Sequence, residues 1–376
     1  MNKDILRVLF KPLTLINKIK KKEDNLIFLY TNLGFRDNVR ALYEYLIKNK
    51  YNEKYRIVVS IKEYRHYKNQ APHNVRFVSL ITGIPYFLKA KYAFYCFGKY
   101  PIKPGRNQTV VNMWHGTPMK RIGNLEEGLE QVDYNYFTSV ITNSKIHKEL
   151  MAQIFSCNEE NVDIMGYPRC DELFEVDNVQ DEYIRGSAKK IILWLPTYRE
   201  YDEEFVISTL GPEDLNQIDE LLEKLESKMI VKMHPLQKVE RIDRWNNIQI
   251  LSEDDIKKSG ITVYSILRNA DGLITDYSSV YYDYMLLNRP IGFAIQDINK
   301  YESERGFLFE KPKEYMPGYN IKNVEDAKKF IQDIVAGVDK FSEERKRINR
   351  LVNKYKDGEN SRRIVERYIL GEEEWD

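Results

Sequence analysis

The sequence predicts an α/β protein with two doubly wound parallel sheets, one in each half of the chain. Short apolar runs alternate with helix-patterned segments in both halves, which is typical of repeated βα units. A polar stretch at 175–190 interrupts this alternation. Because 376 residues exceed the usual size of one compact core, two domains are expected.

The first segment, residues 1–22, has two open interpretations. It is too short to be a membrane span, which needs about 20 consecutive apolar residues. One interpretation is an amphipathic helix lying on an anionic membrane surface, and the other is a helix docked on the protein itself. Both rest on apolar residues at helical spacing followed by lysines, namely Leu6, Leu9, Leu13, Ile16, Lys18, Lys20, Lys21 and Lys22.

Residues 23–180 are predicted to form the first Rossmann-like domain, on the acceptor side. Its strands are predicted at NLIFLY, YRIVVS, VRFVSL, KYAFYC, TVVNMW, SVITNS and VDIMGY. Residues 186–376 are predicted to form the second domain, with strands at IILWLP, KMIVKM, GLITDY and IGFAIQ. Two terminal helices are expected from about residue 323.

The charge balance and the cysteine content limit the classes of partner and metal site that the chain can have. The 58 Lys and Arg nearly cancel the 57 Asp and Glu, so no overall field attracts nucleic acid, and any anion site depends on local clusters. Cys96, Cys157 and Cys170 are far apart and odd in number, which excludes a disulfide framework or a CxxC metal site. Buried thiols in a reducing cytoplasm are expected.

Two histidines follow predicted strands, where α/β sheets bind ligands. His115 comes after TVVNMW and before the turn formed by Gly116, Thr117 and Pro118, so its imidazole could accept a proton near neutral pH. In the second half, His234 and Pro235 end the run KMIVKM, with Lys232 on the same face of the strand as His234. A purely structural role remains an alternative for each histidine.

A third group of polar residues lies in GLITDYSSVYYDYMLLNRPIGF, residues 272–293. Asp276, Ser278 and Ser279 follow a buried strand, and the serines open a helix whose N–H groups could bind phosphate. The alternative is that a serine only caps the helix. Downstream, YESERGF supplies Arg305 and Gly306, a guanidinium beside a residue that permits close backbone approach.

Several nucleotide and metal motifs are absent from the sequence: GxxxxGK[ST], GxGxxG, HExxH and DxD. Their absence argues against a P-loop nucleotidase, a dinucleotide oxidoreductase, a zinc protease and a metal-dependent sugar transferase. The prediction is an anion-binding cleft with no metal and no cofactor.

Taken in order, WHGTPMKRIG, GYPRCDEL, LPTYRE, KMHP, TDYSSVYYDYMLLNRPIGF and ERGF resemble the CDP-glycerol glycerophosphotransferase family of teichoic-acid and capsule synthesis. The resemblance covers about residues 25–335. It implies a GT-B architecture of two Rossmann-like domains facing a cleft, with a CDP-activated polyol as donor. The chain departs from the family pattern at PRCD, where Cys170 replaces the asparagine of PRND, and in GFRDNVRALYEYL.

The resemblance also implies roles for single residues. His115 would be the general base and His234 would contact the donor phosphates. The other residues of the donor site would be Lys232, Pro235, Asp276, Ser278, Ser279, Arg305 and Gly306. The remaining cleft positions would be Gly116, Thr117, Arg169, Thr197 and Arg199.

The expected reaction is transfer of glycerol phosphate from CDP-glycerol to an undecaprenyl-diphosphate-linked saccharide, with release of CMP. Length favours a primase or short-chain transferase, acting peripherally on the cytoplasmic face of the cell membrane. The alternatives are a CDP-ribitol ribitolphosphotransferase, a compact polyol-phosphate polymerase, a GT-B nucleotide-sugar glycosyltransferase and a non-catalytic membrane scaffold.

Overall fold

The computed structural model describes residues 3–176, 178–196, 210–233 and 244–371. The chain forms two compact units. Unit 1 comprises Met1–Gly116, Ile122–Asp171 and Lys354–Asp376, and unit 2 comprises Thr117–Arg121 and Glu172–Asn353.

Unit 1 is built on a parallel sheet in the order β3-β2-β1-β4-β5-β6-β7. Apolar residues are buried along these strands, as expected where helices cover both faces of a parallel sheet. Each of the seven predicted runs of the first domain overlaps one strand. The strands are β1 (Glu23–Tyr30), β2 (Arg56–Ser60), β3 (Val75–Val78), β4 (Ala90–Tyr95), β5 (Thr109–Asn112), β6 (Ser139–Thr142) and β7 (Val162–Ile164).

The helices of unit 1 lie largely between its strands. The longest of these, α2, buries Val39, Leu42 and Leu46 at helical spacing, which fixes the face that packs on the sheet. Before residue 171, the helices of this unit are α1 (Lys3–Ile19), α2 (Asp37–Lys48), α3 (Tyr51–Lys54), α4 (Tyr64–Lys68), α5 (Ile84–Lys89) and α6 (Lys145–Phe155).

Unit 2 repeats the same strand order, β10-β9-β8-β11-β12-β13, again with parallel pairing. The four predicted runs of the second domain correspond to β8, β9, β11 and β12, whereas β10 and β13 were not predicted. The strands are β8 (Ile191–Leu195), β9 (Lys228–Lys232), β10 (Ile248–Leu251), β11 (Gly272–Thr275), β12 (Ile291–Phe293) and β13 (Tyr319–Asn320).

The core of unit 2 is centred on Trp194 and Phe330, which are fully buried among aliphatic side chains. Two of the surrounding helices, α8 and α13, contribute Leu215, Ile218 and Ile331 to this core. The helices are α7 (Asn178–Arg185), α8 (Pro212–Lys224), α9 (Glu253–Ser259), α10 (Val263–Asn269), α11 (Val280–Tyr284), α12 (Ile298–Arg305), α13 (Val324–Val335) and α14 (Ser342–Val352).

The polar stretch predicted as a linker contains helix α7, which packs within unit 2. Asp181 of α7 accepts hydrogen bonds from the guanidinium of Arg268, at 2.7 Å, and from the side-chain amide of Asn269. Arg268 also donates to the carbonyl oxygen of Glu172. The predicted boundary near 180 therefore differs from the structure, in which unit 2 begins again at Glu172.

The C-terminal segment also differs from the predicted domain limits, because residues 354–376 group with unit 1. A third terminal helix, α15 (Asn360–Val365), was not predicted. The backbone N–H groups of Asn360 and Ser361 each donate to the Asp171 carboxylate at 2.8 Å. Gly166 packs so closely on Asn360 that any Cβ there would overlap the amide. These contacts tie the chain end to the loop after β7.

Helix α1 is docked on the rest of unit 1 by polar contacts of Asn17 and of Thr14, whose hydroxyl accepts from the Lys103 N–H at 3.2 Å. Asn17 is fully buried, and its amide nitrogen donates to Gln108 at 2.8 Å and to the carbonyl oxygen of Lys103 at 2.9 Å. Leu15, Ile16 and Ile19 are exposed, so docking leaves an apolar face in solvent. Within the described ranges, no helix combines the length and hydropathy needed to cross a membrane.

The cysteines match the expectation of thiols without disulfides. Cys96 and Cys170 are buried and Cys157 is half-buried, and no disulfide joins them in the described part of the chain. Burial raises the pKa of the Cys96 and Cys157 thiols, which keeps both protonated near neutral pH.

Asp171 gives the fold a testable pH dependence. Burial raises the pKa of its carboxyl from 3.8 to about 7, although hydrogen bonds from Ser361 and Asn360 and the Arg363 charge oppose this in part. The folded state therefore binds a proton that the unfolded chain releases between about pH 4 and 7, and unfolding free energy falls as pH rises through that window. We expect Asp171→Asn to remove this contribution, on the order of 4 kcal/mol.

The measurement is urea unfolding of both proteins between pH 4 and 8. The difference in unfolding free energy, wild type minus variant, should decrease with pH. A constant difference would contradict a proton held on Asp171.

Candidate functional site

His115 lies in a sharp turn that directly follows β5. Trp114 has φ +50° and Gly116 has φ +126°, so the backbone is left-handed on both sides of the histidine. A left-handed conformation is uncommon for a bulky aromatic residue and persists only where its surroundings hold it. The sequence Gly-Thr-Pro predicted the turn, but not the conformation of Trp114.

Two aromatic rings stack against the His115 imidazole. The Phe97 ring stacks on it with centroids 5.0 Å apart and planes inclined by 7°, and the Trp114 ring lies 4.0 Å away at 27°. Stacking against two rings restrains the plane of the imidazole, so hydrogen bonding is directed to the ring edge, where its nitrogens lie. His115 is half-buried, which keeps the ring partly accessible.

The backbone of the turn is held by Asn38, near the start of α2. The Asn38 amide nitrogen donates to the carbonyl oxygens of Met113, at 2.9 Å, and Trp114, at 3.0 Å. The Asn112 side chain adds a third bond by accepting from the Trp114 N–H at 3.0 Å. Asn38 is completely buried, so these bonds replace water that the carbonyls have lost.

Arg169 completes this support from the loop after β7. Its Nη1 donates to the carbonyl oxygen of His115 at 2.8 Å and to Oδ2 of Asp37 at 2.9 Å. Its backbone N–H donates to Oδ1 of Asn38 at 3.1 Å. The two charged side chains are only 8% and 14% exposed, which makes this a largely desolvated ion pair. The structure therefore brings together Gly116, His115 and Arg169 among the predicted cleft residues.

Thr117, the next predicted residue, belongs to unit 2, where it is buried. The segment it begins pairs with the ERGF motif. Lys120 forms an antiparallel bridge with Phe307, and the Arg121 N–H donates to the carbonyl oxygen of Gly306 at 3.2 Å. Gly306 has φ +66°, and a Cβ there would lie 2.9 Å from Cδ of Arg121. Glycine thus suits the left-handed conformation, and a larger residue there would also require the Arg121 side chain to move.

Other donor-site predictions cluster after β11 and α12 of unit 2. Asp276 is buried, whereas Ser278 and Ser279 are half-buried. Ser279 precedes α11 but its side chain makes no capping hydrogen bond, so the alternative of a simple N-cap side chain is not observed. Arg305 ends α12 and is exposed.

Lys232 ends β9 as predicted, and its ammonium forms hydrogen bonds within unit 2. It is buried and donates to the Glu253 carboxylate and, at 3.0 Å, to the carbonyl oxygen of Met233. A role in donor binding stays a prediction. The remaining predicted residues, His234, Pro235, Thr197 and Arg199, lie outside the described residues.

Among the residues that the structure describes, no group of three or more His, Cys, Asp or Glu side chains is arranged to hold a metal ion. The absence of a metal and of a cofactor from the reaction stays a prediction.

Sequence reasoning missed Asp37, Asn38 and Phe97. Asp37 and Asn38 open the helix after β1, and Phe97 follows β4. All three lie beyond the carboxyl end of a parallel strand, which is the signal that identified His115. Applying the same rule to every predicted strand, and not only to those followed by histidine, would have found them.

Comparison with known proteins supports the resemblance drawn from the motifs. A teichoic acid glycerol-phosphate transferase of Staphylococcus aureus is 28% identical over 394 aligned residues, covering 95% of this chain and 96% of the relative. The teichoic acid ribitol-phosphate polymerase TarK of the same species is 26% identical and covers 95% of this chain and 71% of its own.

The structure of the wall teichoic acid polymerase TagF superposes with a TM-score of 0.75 at 23% identity, covering 99% of this chain and 98% of that one. This likeness confirms the predicted GT-B type of fold. Residues 11–370 match the sequence profile of the CDP-glycerol:poly(glycerophosphate) glycerophosphotransferases. The chain therefore belongs to that family of transferases.

Proposed function

We propose that this protein transfers glycerol phosphate from CDP-glycerol to a lipid-linked saccharide in the synthesis of wall teichoic acid or a related cell-surface polymer. The observation that carries the proposal is the His115 imidazole, stacked against Phe97 and Trp114 at the carboxyl end of β5 in a chain of the glycerophosphotransferase family. A base whose ring plane is fixed needs little reorganisation when it accepts a proton.

In the proposed reaction, His115 accepts the proton of the acceptor hydroxyl as that oxygen attacks the phosphorus that carries glycerol. The new P–O bond joins acceptor and glycerol phosphate, and the bond to the CMP phosphate oxygen breaks. CMP leaves with the electron pair. Because phosphoryl transfer needs mainly positioning and charge neutralisation, the remaining residues act on the donor phosphates.

Unit 2 supplies the donor site in this proposal. Ser278 and Ser279 offer hydroxyls that are only half-buried, and Arg305 is exposed at the end of α12. Gly306 holds the backbone beside Arg305 against the 117–121 segment. His234 is proposed to contact the same phosphates, as the family resemblance implies.

The acceptor is proposed to be undecaprenyl-diphosphate-linked, which places the enzyme peripherally on the cytoplasmic face of the membrane. Support comes from α1, where Leu15, Ile16 and Ile19 are exposed beside Lys18, Lys20 and Lys21. Lys22 does not belong to this basic surface. Its ammonium is buried against Asn17 and the carbonyl oxygen of Leu88, and burial lowers its pKa to about 8.

We propose that the enzyme acts as a primase or short-chain transferase. The similarity to the S. aureus glycerol-phosphate transferase supports this, because the two chains match over nearly their full lengths. The ribitol-phosphate polymerase is almost equally similar in sequence, so the donor has to be tested directly. Product mass from a synthetic lipid-linked disaccharide, with CDP-glycerol or CDP-ribitol supplied separately, gives both the polyol and the number of units.

His115→Ala should lower turnover with CDP-glycerol by about 10²–10⁴-fold, because general-base assistance of this kind is lost. Donor affinity should stay within about twofold, since unit 2 binds the donor. Turnover and calorimetric affinity are measured on the same protein, with the exposed His66→Ala as control. A His115→Ala enzyme that keeps more than about a tenth of wild-type turnover would exclude this base.

Ser279→Ala and Arg305→Ala should each weaken CDP-glycerol binding by roughly 10–150-fold, the size of a lost charge-assisted hydrogen bond. Acceptor use should change less. Calorimetric titration with CDP-glycerol and CMP measures the loss, and Ser303→Ala, also exposed on α12, is the matched control. Unchanged affinity in both variants would place the donor elsewhere.

The exposed face of α1 should bind anionic vesicles weakly, since one short helix is a marginal anchor. Deleting residues 1–22 would also remove the buried Asn17, so Leu15→Gln with Ile19→Gln is the sharper variant. Co-sedimentation with phosphatidylglycerol vesicles should fall in this variant but not in Ile81→Gln, which alters an exposed isoleucine of unit 1 that is not part of α1. Equal binding by both variants would rule out α1 as the anchor.

A further inference from the structure

We propose that Arg169 and Asp37 are positioning residues for His115, acting on its main chain and not on the substrate. The inference rests on the proposed role of His115 as the base. Its starting point is the strained turn: Trp114, a bulky aromatic residue at φ +50°, would relax to another backbone conformation unless its neighbours prevented it.

Three consecutive carbonyl oxygens of this turn are each held by a side chain from elsewhere in unit 1. Asn38 binds those of Met113 and Trp114, and Arg169 binds that of His115. The two supporting residues are themselves joined, because the Arg169 N–H donates to Asn38 Oδ1. One connected hydrogen-bond network therefore supports the turn, and it fixes the direction of each of the three carbonyl groups.

The ion pair with Asp37 orients the guanidinium. One nitrogen, Nη1, serves both the His115 carbonyl and Asp37, at 2.8 and 2.9 Å. The guanidinium carbon also lies 5.6 Å from the Tyr167 ring centroid, which limits tilting of its plane. A lysine ammonium keeps the charge but loses the planar geometry that satisfies these directions together.

Asp37 adopts φ +58°, a conformation that asparagine tolerates as well as aspartate does. Its Oδ1 accepts from the Asn38 N–H at 2.8 Å, so one carboxylate links Arg169 to the start of α2. Asp37→Asn can keep the bond from the Asn38 N–H while weakening the interaction with Arg169. It is thus a gentle perturbation of the positioning pair with the guanidinium still present.

The consequence for catalysis is a loss of alignment without a loss of binding. A base displaced by about 1 Å from its productive position can cost on the order of 100-fold in rate. We expect Arg169→Lys to lower kcat by about 10–100-fold and Asp37→Asn by about 3–30-fold, with KM for CDP-glycerol within about twofold. Arg345→Lys is the control, since Arg345 is also buried, in unit 2, and also binds a carboxylate and a carbonyl oxygen.

The deciding measurement is a double-mutant cycle with His115→Ala. If Arg169 acts through His115, Arg169→Lys should lower kcat by no more than about twofold in the His115→Ala background, where the imidazole is absent. An equal loss in both backgrounds overturns the positioning role while leaving His115 as the base. Activity retained by His115→Ala itself would instead overturn the proposed function. Should Arg169→Lys fail to fold, Asp37→Asn enters the same cycle.

A readout without turnover is the NMR signal of the His115 ring protons, assigned by its disappearance in His115→Ala. Ring currents from Phe97 and Trp114 should shift it upfield. Arg169→Lys and Asp37→Asn should move it toward the random-coil value, and Arg345→Lys should not. An unmoved signal in both site variants would overturn the proposal.

Discussion

Parallel pairing of every strand in unit 1 is the constraint from which the His115 environment follows. Parallel strands end at one edge of the sheet, so the loops after β1, β4, β5 and β7 meet there although they are far apart in sequence. These loops bring Asn38, Phe97, His115 and Arg169 together. The rings that stack on the imidazole come from the loops after β4 and β5, whereas the side chains that bind the carbonyls of its turn come from the segments after β1 and β7.

Most of the fold could be predicted because strands buried on both faces form continuous apolar runs. The two strands that were missed lack this signal. In β10 the run is interrupted by the exposed Gln249, and β13 contains only Tyr319 and Asn320. The return of the C-terminal segment to unit 1 depends on Asp171 and Asn360, which are 189 positions apart, so local pattern carries no information about it.

The sequence could predict where the site residues lie, because their location depends on where each strand ends. His115, Gly116 and Lys232 lie at strand ends, as their spacing indicated. What each polar group binds could not be predicted, because it depends on tertiary contacts. Lys232 belongs to a motif that suggested phosphate binding, yet its ammonium bonds to Glu253. Trp114 gave no sequence signal for a left-handed backbone, since its conformation is imposed by Asn38 and Asn112.

The departure PRCD can be understood from the directions of three consecutive side chains. Arg169 is directed to the His115 turn, and Asp171 binds the N–H groups that open α15. Cys170 between them is 1% exposed and packs in the core of unit 1. The residue that differs from the family pattern is thus the buried one, whereas Arg169 and Asp171 keep their polar contacts. Through Asp171, the C-terminal segment supports the loop that holds the proposed base.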